Sequence, residues 1–195
     1  VDHRDGLFYI RTNDVGKNFR VVTAPVNGGG RESWQELIPL DTNVPLEDFS
    51  LFHSFCVSSR RRDGLPTLTV TDLDAAGKLG DSKEISFPEP TYTAQAHVNR
   101  EFETRAFRYS YQSLVSPASV YDYDVDSGAS SLLKQQEVPG GFDSARYASE
   151  RVWAVAADGV KIPVSVVYRR DSFKHNSTNP LYVYGYGSYG YPLPV

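Results

Sequence analysis

The chain has 195 residues, 40% hydrophobic and 23% charged, with a formal charge of −4 and one cysteine. That length allows one sizeable core or two small ones, and no apolar run is long enough to span a bilayer as a helix, so no membrane partner is expected. The negative balance argues against a nucleic-acid partner, which needs a basic patch. The lone Cys56 excludes an internal disulfide and fits a reducing, cytoplasmic compartment.

No basic segment leading into an apolar one opens the chain, so no signal peptide is expected there. Thirteen tyrosines and ten phenylalanines, with almost no 3.6-residue periodicity before residue 138, predict β structure. Leu7 to Thr12 reads as a strand, Asn13 to Gly16 as a turn and Asn18 to Ala24 as the return strand. A Gly-rich loop, Asn27 to Gly30, then leads to Trp34 to Ile38. A second round follows at Phe49 to His53, Phe55 to Ser59, Thr67 to Leu73 and Glu84 to Phe87, with a turn around Arg62-Asp63-Gly64. The third round is Ala96 to Val98, Ala106 to Tyr111, Ala118 to Asp124 and Leu132 to Gln136.

These rounds repeat. Leu37, Ile85 and Leu133 align at a spacing of 48 residues (85 − 37 and 133 − 85), and four short strands in a unit of that length mark β-propeller blades. The expected fold is therefore mainly β: a partial propeller of about three four-stranded blades, opening at the second strand of a blade. At Pro139-Gly140-Gly141 the pattern changes, which places a boundary near residue 140. Arg151 to Ala156 and Val160 to Tyr168 flank Ala157-Asp158-Gly159, a strong hairpin signal. After a polar loop, Leu181 to Tyr184 reads as a buried strand that empties into Gly185-Tyr186-Gly187-Ser188-Tyr189-Gly190, where the three glycines permit positive φ and close approach of a ligand.

Most sharp readings of single residues lose to plainer ones. Gly185 to Gly190 formally matches Gly-x-Gly-x-x-Gly, but a dinucleotide site needs a helix opening there, and Pro192 and Pro194 follow instead. Ser188 has Tyr186 and Gly190 at −2 and +2, so the nucleophile-elbow pattern fails on one side. His3, His53, His97 and His175 show no ligand spacing, so no metal is expected. Cys56 lies in an apolar strand and reads as an inert thiol. Arg60-Arg61-Arg62 reads as a solvated hairpin end, with an ion-pair site holding two domains together as the sharper alternative. Tyr121 and Tyr123 share one face of a strand and Asp122 and Asp124 the other, which is ordinary half-buried patterning. Asn176-Ser177-Thr178 is a formal glycosylation sequon that a cysteine-poor chain does not recommend.

Taken in order, Phe8 to Asn13, Phe107 to Ser119 with Pro117, Val152 to Val167 and above all Tyr184-Gly185-Tyr186-Gly187 resemble the prolyl oligopeptidase family, nearest its oligopeptidase B branch. The resemblance implies the last blades of a seven-bladed propeller over residues 1–139. It implies the first strands of an α/β-hydrolase domain over 140–195, with the rest of both domains as partners and short peptides as substrates. It makes Tyr186 the tyrosine whose hydroxyl completes the oxyanion hole and Tyr189 an aromatic residue lining the primary specificity pocket. The nucleophile elbow, the Asp and the His of the triad, and the acidic residues behind a Lys or Arg preference, are expected downstream, so the chain by itself is expected to be inactive. No metal or organic cofactor is implied. The rival readings are a non-catalytic propeller that binds a protein or peptide, and a prolyl-specific, acyl-aminoacyl or dipeptidyl peptidase of the same clan.

Overall fold

The computed structural model describes residues 1–176, 178–189 and 193–195; Ser177 of the sequon, and Gly190 and Pro192 of the terminal loop, lie outside them. Three four-stranded antiparallel sheets follow one another along the chain, each in simple sequence order. The first blade is β1 (Asp2–Arg4), β2 (Leu7–Thr12), β3 (Arg20–Pro25) and β4 (Gln35–Ile38). The second is β5 (Leu46–Leu51), β6 (Phe55–Arg62), β7 (Leu65–Leu73) and β8 (Leu79–Glu84). The third is β9 (Tyr92–Ala96), β10 (Ala106–Ser113), β11 (Ser119–Asp124) and β12 (Ser130–Gln135). A separate two-stranded sheet, β13 (Tyr147–Val155) and β14 (Lys161–Arg169), completes the regular structure.

Turn chemistry sets the hairpins. Asp5-Gly6 joins β1 to β2 with φ of 50° and 77°, and Asp63-Gly64 joins β6 to β7 with φ of 52° and 81°. Both pairs thus turn with two left-handed residues, the geometry that matches strand twist in a two-residue loop. The β13–β14 turn differs: Gly159 donates to the Ala156 carbonyl and Ala156 to the Val160 carbonyl, with Gly159 at φ 85°. That is a three-residue loop whose left-handed position only glycine fills without strain.

The second blade is covered on both faces where its central strands are apolar. Phe55 and Val57 of β6 and Leu68 and Val70 of β7 face the third blade, where they meet Phe107, Tyr109, Tyr111 and Tyr123. Cys56 and Leu73 point the other way, onto Tyr9, Val21 and Ile38 of the first blade. Phe52 and Phe55 stack with ring centroids 4.2 Å apart, and Phe107 meets Phe52 edge-on. Fully burying each such side chain contributes about 1.5–3 kcal/mol. Across the other blade junction, the buried Asn18 donates to the Asp41 and Thr42 carbonyls at 2.8 Å each, so the amide ties the first blade to the loop before β5.

Several expectations need correction. The chain opens on the first strand of a blade, since β1 pairs with β2 through Arg4↔Leu7; its three residues were too few to show a period. The fourth strand of the second blade is Leu79–Glu84 and not Glu84 to Phe87, because the polar Leu-Gly-Asp-Ser-Lys-Glu run is held by pairing to β7 while Ile85 turns into the core. The first strand of the second blade is Leu46–Leu51, and Phe52 leaves it to donate to the Phe55 carbonyl. The first strand of the third blade ends at Ala96, two residues before Val98.

Candidate functional site

The hairpin β13–β14 meets the propeller through polar contacts of one face. Register pairs Arg151 with Ser165 and Trp153 with Pro163, so these four side chains share a face. Arg151 Nη2 donates to the Asp63 carbonyl at the tip of the second blade, and its guanidinium lies 5.4 Å from the Trp153 ring. Thr91, with none of its surface exposed, donates to Ser165 Oγ at 2.7 Å. A methyl on Gly64 would sit 3.1 Å from Arg151 Nη2 and 3.4 Å from Pro163 Cγ, so glycine is required there by φ and by proximity. The opposite face of the hairpin carries the Val152–Val164 and Ala154–Ile162 pairs, with Val152, Ile162 and Val164 all exposed.

The arginine cluster does not span this contact. Arg61 pairs with Glu47 and Arg62 with Glu84, both within the second blade. The sharper reading of an inter-domain ion pair is replaced by Arg151 reaching the Asp63 carbonyl, a residue that strand patterning had marked only as one position in an alternating run.

Leu181 to Tyr184 is neither a strand nor buried. The four side chains are 81%, 87%, 77% and 67% exposed. A strand exists only through ladder partners, and no described strand runs beside this segment. Gly185 and Gly187 also stay out of the left-handed region, which Tyr189 occupies instead at φ 57°. Tyr186 is half exposed at 49%, whereas Tyr189 is 96% exposed and makes no side-chain hydrogen bond or ring contact among the described residues. A methyl on Gly185 or Gly187 would meet nothing within 4 Å among the described residues.

The remaining polar candidates are structural. His3, His53 and His175 lie edge-on against Phe8, Phe102 and Phe173, and the His97 carbonyl accepts from Asn99. Among the described residues no three His, Cys, Asp or Glu side chains gather as metal ligands would, and no helix is long and apolar enough to cross a membrane. Cys56 is buried, and burial together with the Asp72 charge pushes its thiol up to about 12. Asp122 binds Arg108 at 2.7 Å on the face of the third blade away from its tyrosine core.

Residues 1–136 match the model of the prolyl oligopeptidase N-terminal β-propeller domain. The chain belongs to the prolyl oligopeptidase family. Dipeptidyl aminopeptidase BI of Pseudoxanthomonas mexicana is 39% identical over 192 residues, which is 97% of this chain and 26% of that protein. Among solved structures, oligopeptidase B of Trypanosoma brucei, in a closed form with covalently bound antipain, is 32% identical with a TM-score of 0.80 over 96% of this chain and 28% of that one. Oligopeptidase B of Leishmania major is 30% identical with a TM-score of 0.75 over 87% and 24%. The chain therefore spans about a quarter of the length of the family members it matches.

Proposed function

We propose that this chain closes the propeller and begins the catalytic domain of a serine oligopeptidase, with residues 1–139 in the first and 140–195 in the second. The longer protein hydrolyses short peptides by Ser-His-Asp acyl transfer, with the triad beyond this segment and a preference for Lys or Arg before the scissile bond. The observation that carries the reading is the reach of the similarity. It runs past the propeller, through the β13–β14 hairpin and the Tyr-Gly-Tyr-Gly loop, in proteins named as peptidases. A purely binding propeller has no use for that segment. The exposed apolar face of the hairpin supports it further, since Val152, Ile162 and Val164 call for cover from the rest of a hydrolase sheet. A reducing, cytoplasmic setting fits the single buried thiol.

In this reading the Tyr186 hydroxyl donates to the oxyanion of the tetrahedral intermediate. Negative charge develops on oxygen only in that state, so a donor fixed about 3 Å away favours it selectively, by about 2.7–4 kcal/mol. Tyr189 lines the pocket for the residue before the scissile bond.

The test is hydrolysis by the full-length protein of a blocked Arg-Arg amide, a blocked Gly-Pro amide and a free-amine dipeptidyl amide, with Tyr186→Phe alongside. The expected outcome is cleavage of the blocked Arg-Arg substrate, with kcat about 10²-fold or more lower in the variant and KM little changed. Cleavage confined to the free-amine substrate would replace this reading with dipeptide release, which the 39% identity to a dipeptidyl aminopeptidase favours. A folded protein that cleaves none of the three would leave the binding propeller.

A further inference from the structure

The face of the second blade turned toward the first changes character along its length. Cys56, Ser58, Arg60 and Arg62 share that face of β6, and Thr67, Thr69 and Thr71 share it on β7. At the Cys56 end the two blades close on an apolar cluster. Toward the Asp63-Gly64 turn they separate around a cavity of about 630 Å³, walled on the other side by Ile38 and the loop from Pro39 to Val44. That volume is within the range of small-molecule sites, and its lining mixes aliphatic side chains with a few convergent polar ones, as such sites do.

Arg60 is answered more weakly than its neighbours, by the charge of Asp41 across the same space. Its neighbours Arg61 and Arg62 each hold a glutamate. Arg60 is half-buried, lines the cavity, and has no carboxylate partner among the described residues; its one hydrogen bond is a long 3.5 Å contact from Nη1 to the Val44 carbonyl. Asp41 faces the same space, but its Oδ1 already accepts from the Asn43 and Val44 amides at 2.8 and 3.1 Å. Directly across the ladder from Arg60 stands Thr67, 5% exposed, whose hydroxyl has no partner among the described residues and lies behind the cavity wall rather than in it. Ser58 and Thr69 add hydroxyls to the wall, whereas Thr71 and Ser82 satisfy each other at 2.8 Å. A half-buried guanidinium with little but one long hydrogen bond is under-used, and Arg62 brings a like charge to the same cavity. An oxyanion would answer the positive charge there, because the planar fork of arginine fits a carboxylate or phosphate with two parallel hydrogen bonds.

We propose that the cavity between the first and second blades binds a small oxyanion, a carboxylate or phosphate group, on the guanidinium of Arg60, with the Ser58 and Thr69 hydroxyls as further donors. Both blades lie wholly within this chain, so the site does not depend on the peptidase reading.

The experiment is isothermal titration of the full-length protein with inorganic phosphate, with N-acetylglycine and with N-acetylglycinamide, against sodium chloride of equal ionic strength. Binding of phosphate, of N-acetylglycine or of both, at about millimolar Kd and without binding of the amide, supports the site and says which oxyanion it takes. Arg60→Gln should weaken that binding by about tenfold or more, while Asp41→Asn, which removes the competing carboxylate, should tighten it. If Arg60→Gln does not fold, Thr69→Val is scored in its place, with a several-fold loss expected. The proposal is overturned if wild-type protein binds neither oxyanion up to about 10 mM, or if the variant of the cavity wall binds as wild type does.

Discussion

Thr91 and Ser165 stand 74 residues apart in the chain and share a hydroxyl–hydroxyl hydrogen bond of 2.7 Å. Thr91 precedes the first strand of the third blade, and Ser165 lies mid-strand in the hairpin beyond the propeller. With Arg151 on the Asp63 carbonyl, this pair gives the hairpin two polar points of attachment. Polar attachments of this kind are individually weak, and their loss should be felt locally first.

Thr91→Val keeps the shape of the side chain and deletes the donor. It should lower global stability by only about 1 kcal/mol, yet raise amide exchange across 147–169 while leaving β6 and β7 protected. Hydrogen exchange read segment by segment checks this. Unchanged exchange in the hairpin would mean that Thr91 does not hold it.

The 48-residue spacing aligns Ile85 with Leu133, but Ile85 follows β8 into the core at 4% exposure whereas Leu133 lies within the outer strand β12 at 50%. Ile85→Ala should cost about 2–5 kcal/mol, and Leu133→Ala should stay within about 0.5 kcal/mol. Denaturant midpoints of the two variants decide it. Equal losses would show that the outer strand β12 is buried in solution.

Cys56 should resist alkylation at pH 8 in the folded protein and react fully once unfolded. Its thiol is raised to about 12 by burial and then by the Asp72 charge, so the thiolate is scarce and the sulfur is out of reach. Mass spectrometry after iodoacetamide treatment, with and without denaturant, reads this directly.

Asp14 gathers two arginines: Arg20 donates through Nε and Nη2 at 2.9 and 2.7 Å, and Arg31 through Nη2 at 2.6 Å. The Arg20 hydrogen bonds above all, then those of Arg31 and the two positive charges, hold its carboxyl well below the usual carboxylate range. A carboxyl depressed in the folded state stabilises it above the unfolded value of about 4, and that stabilisation is lost as the pH falls through the folded value. Asp14→Asn should therefore lower the denaturant midpoint at pH 7, with the difference from wild type narrowing below about pH 4. A gap that stays constant down to pH 2 would argue that the carboxylate charge is not what matters.

The short strands, hence the blade count, and the turn at Asp63-Gly64 were legible because each depends on residues only a few positions apart. Alternation assigned Tyr121 and Tyr123 to one face of β11 and Asp122 to the other, and the turn around Asp63-Gly64 announced its hairpin. Strands with weak patterns were misplaced for the same reason. Leu79–Glu84 has one large apolar residue in six and is a strand only because β7 lies beside it.

The sequence by itself thus determined the propeller blades and the hairpin near residue 158, both written in local pattern and turn chemistry, while the prolyl oligopeptidase family entered through the resemblance of particular segments such as Tyr184 to Gly187. Only the tertiary structure decided which arginine keeps its glutamate and which faces a cavity, which hydroxyl reaches across to the hairpin, and that Leu181 to Tyr184 lies exposed despite its β-rich composition. The physical reason is common to all three. Hydrogen bonds, ion pairs and strand ladders need a partner at a distance of a few ångströms, and whether one stands there is settled by chain segments far away in sequence.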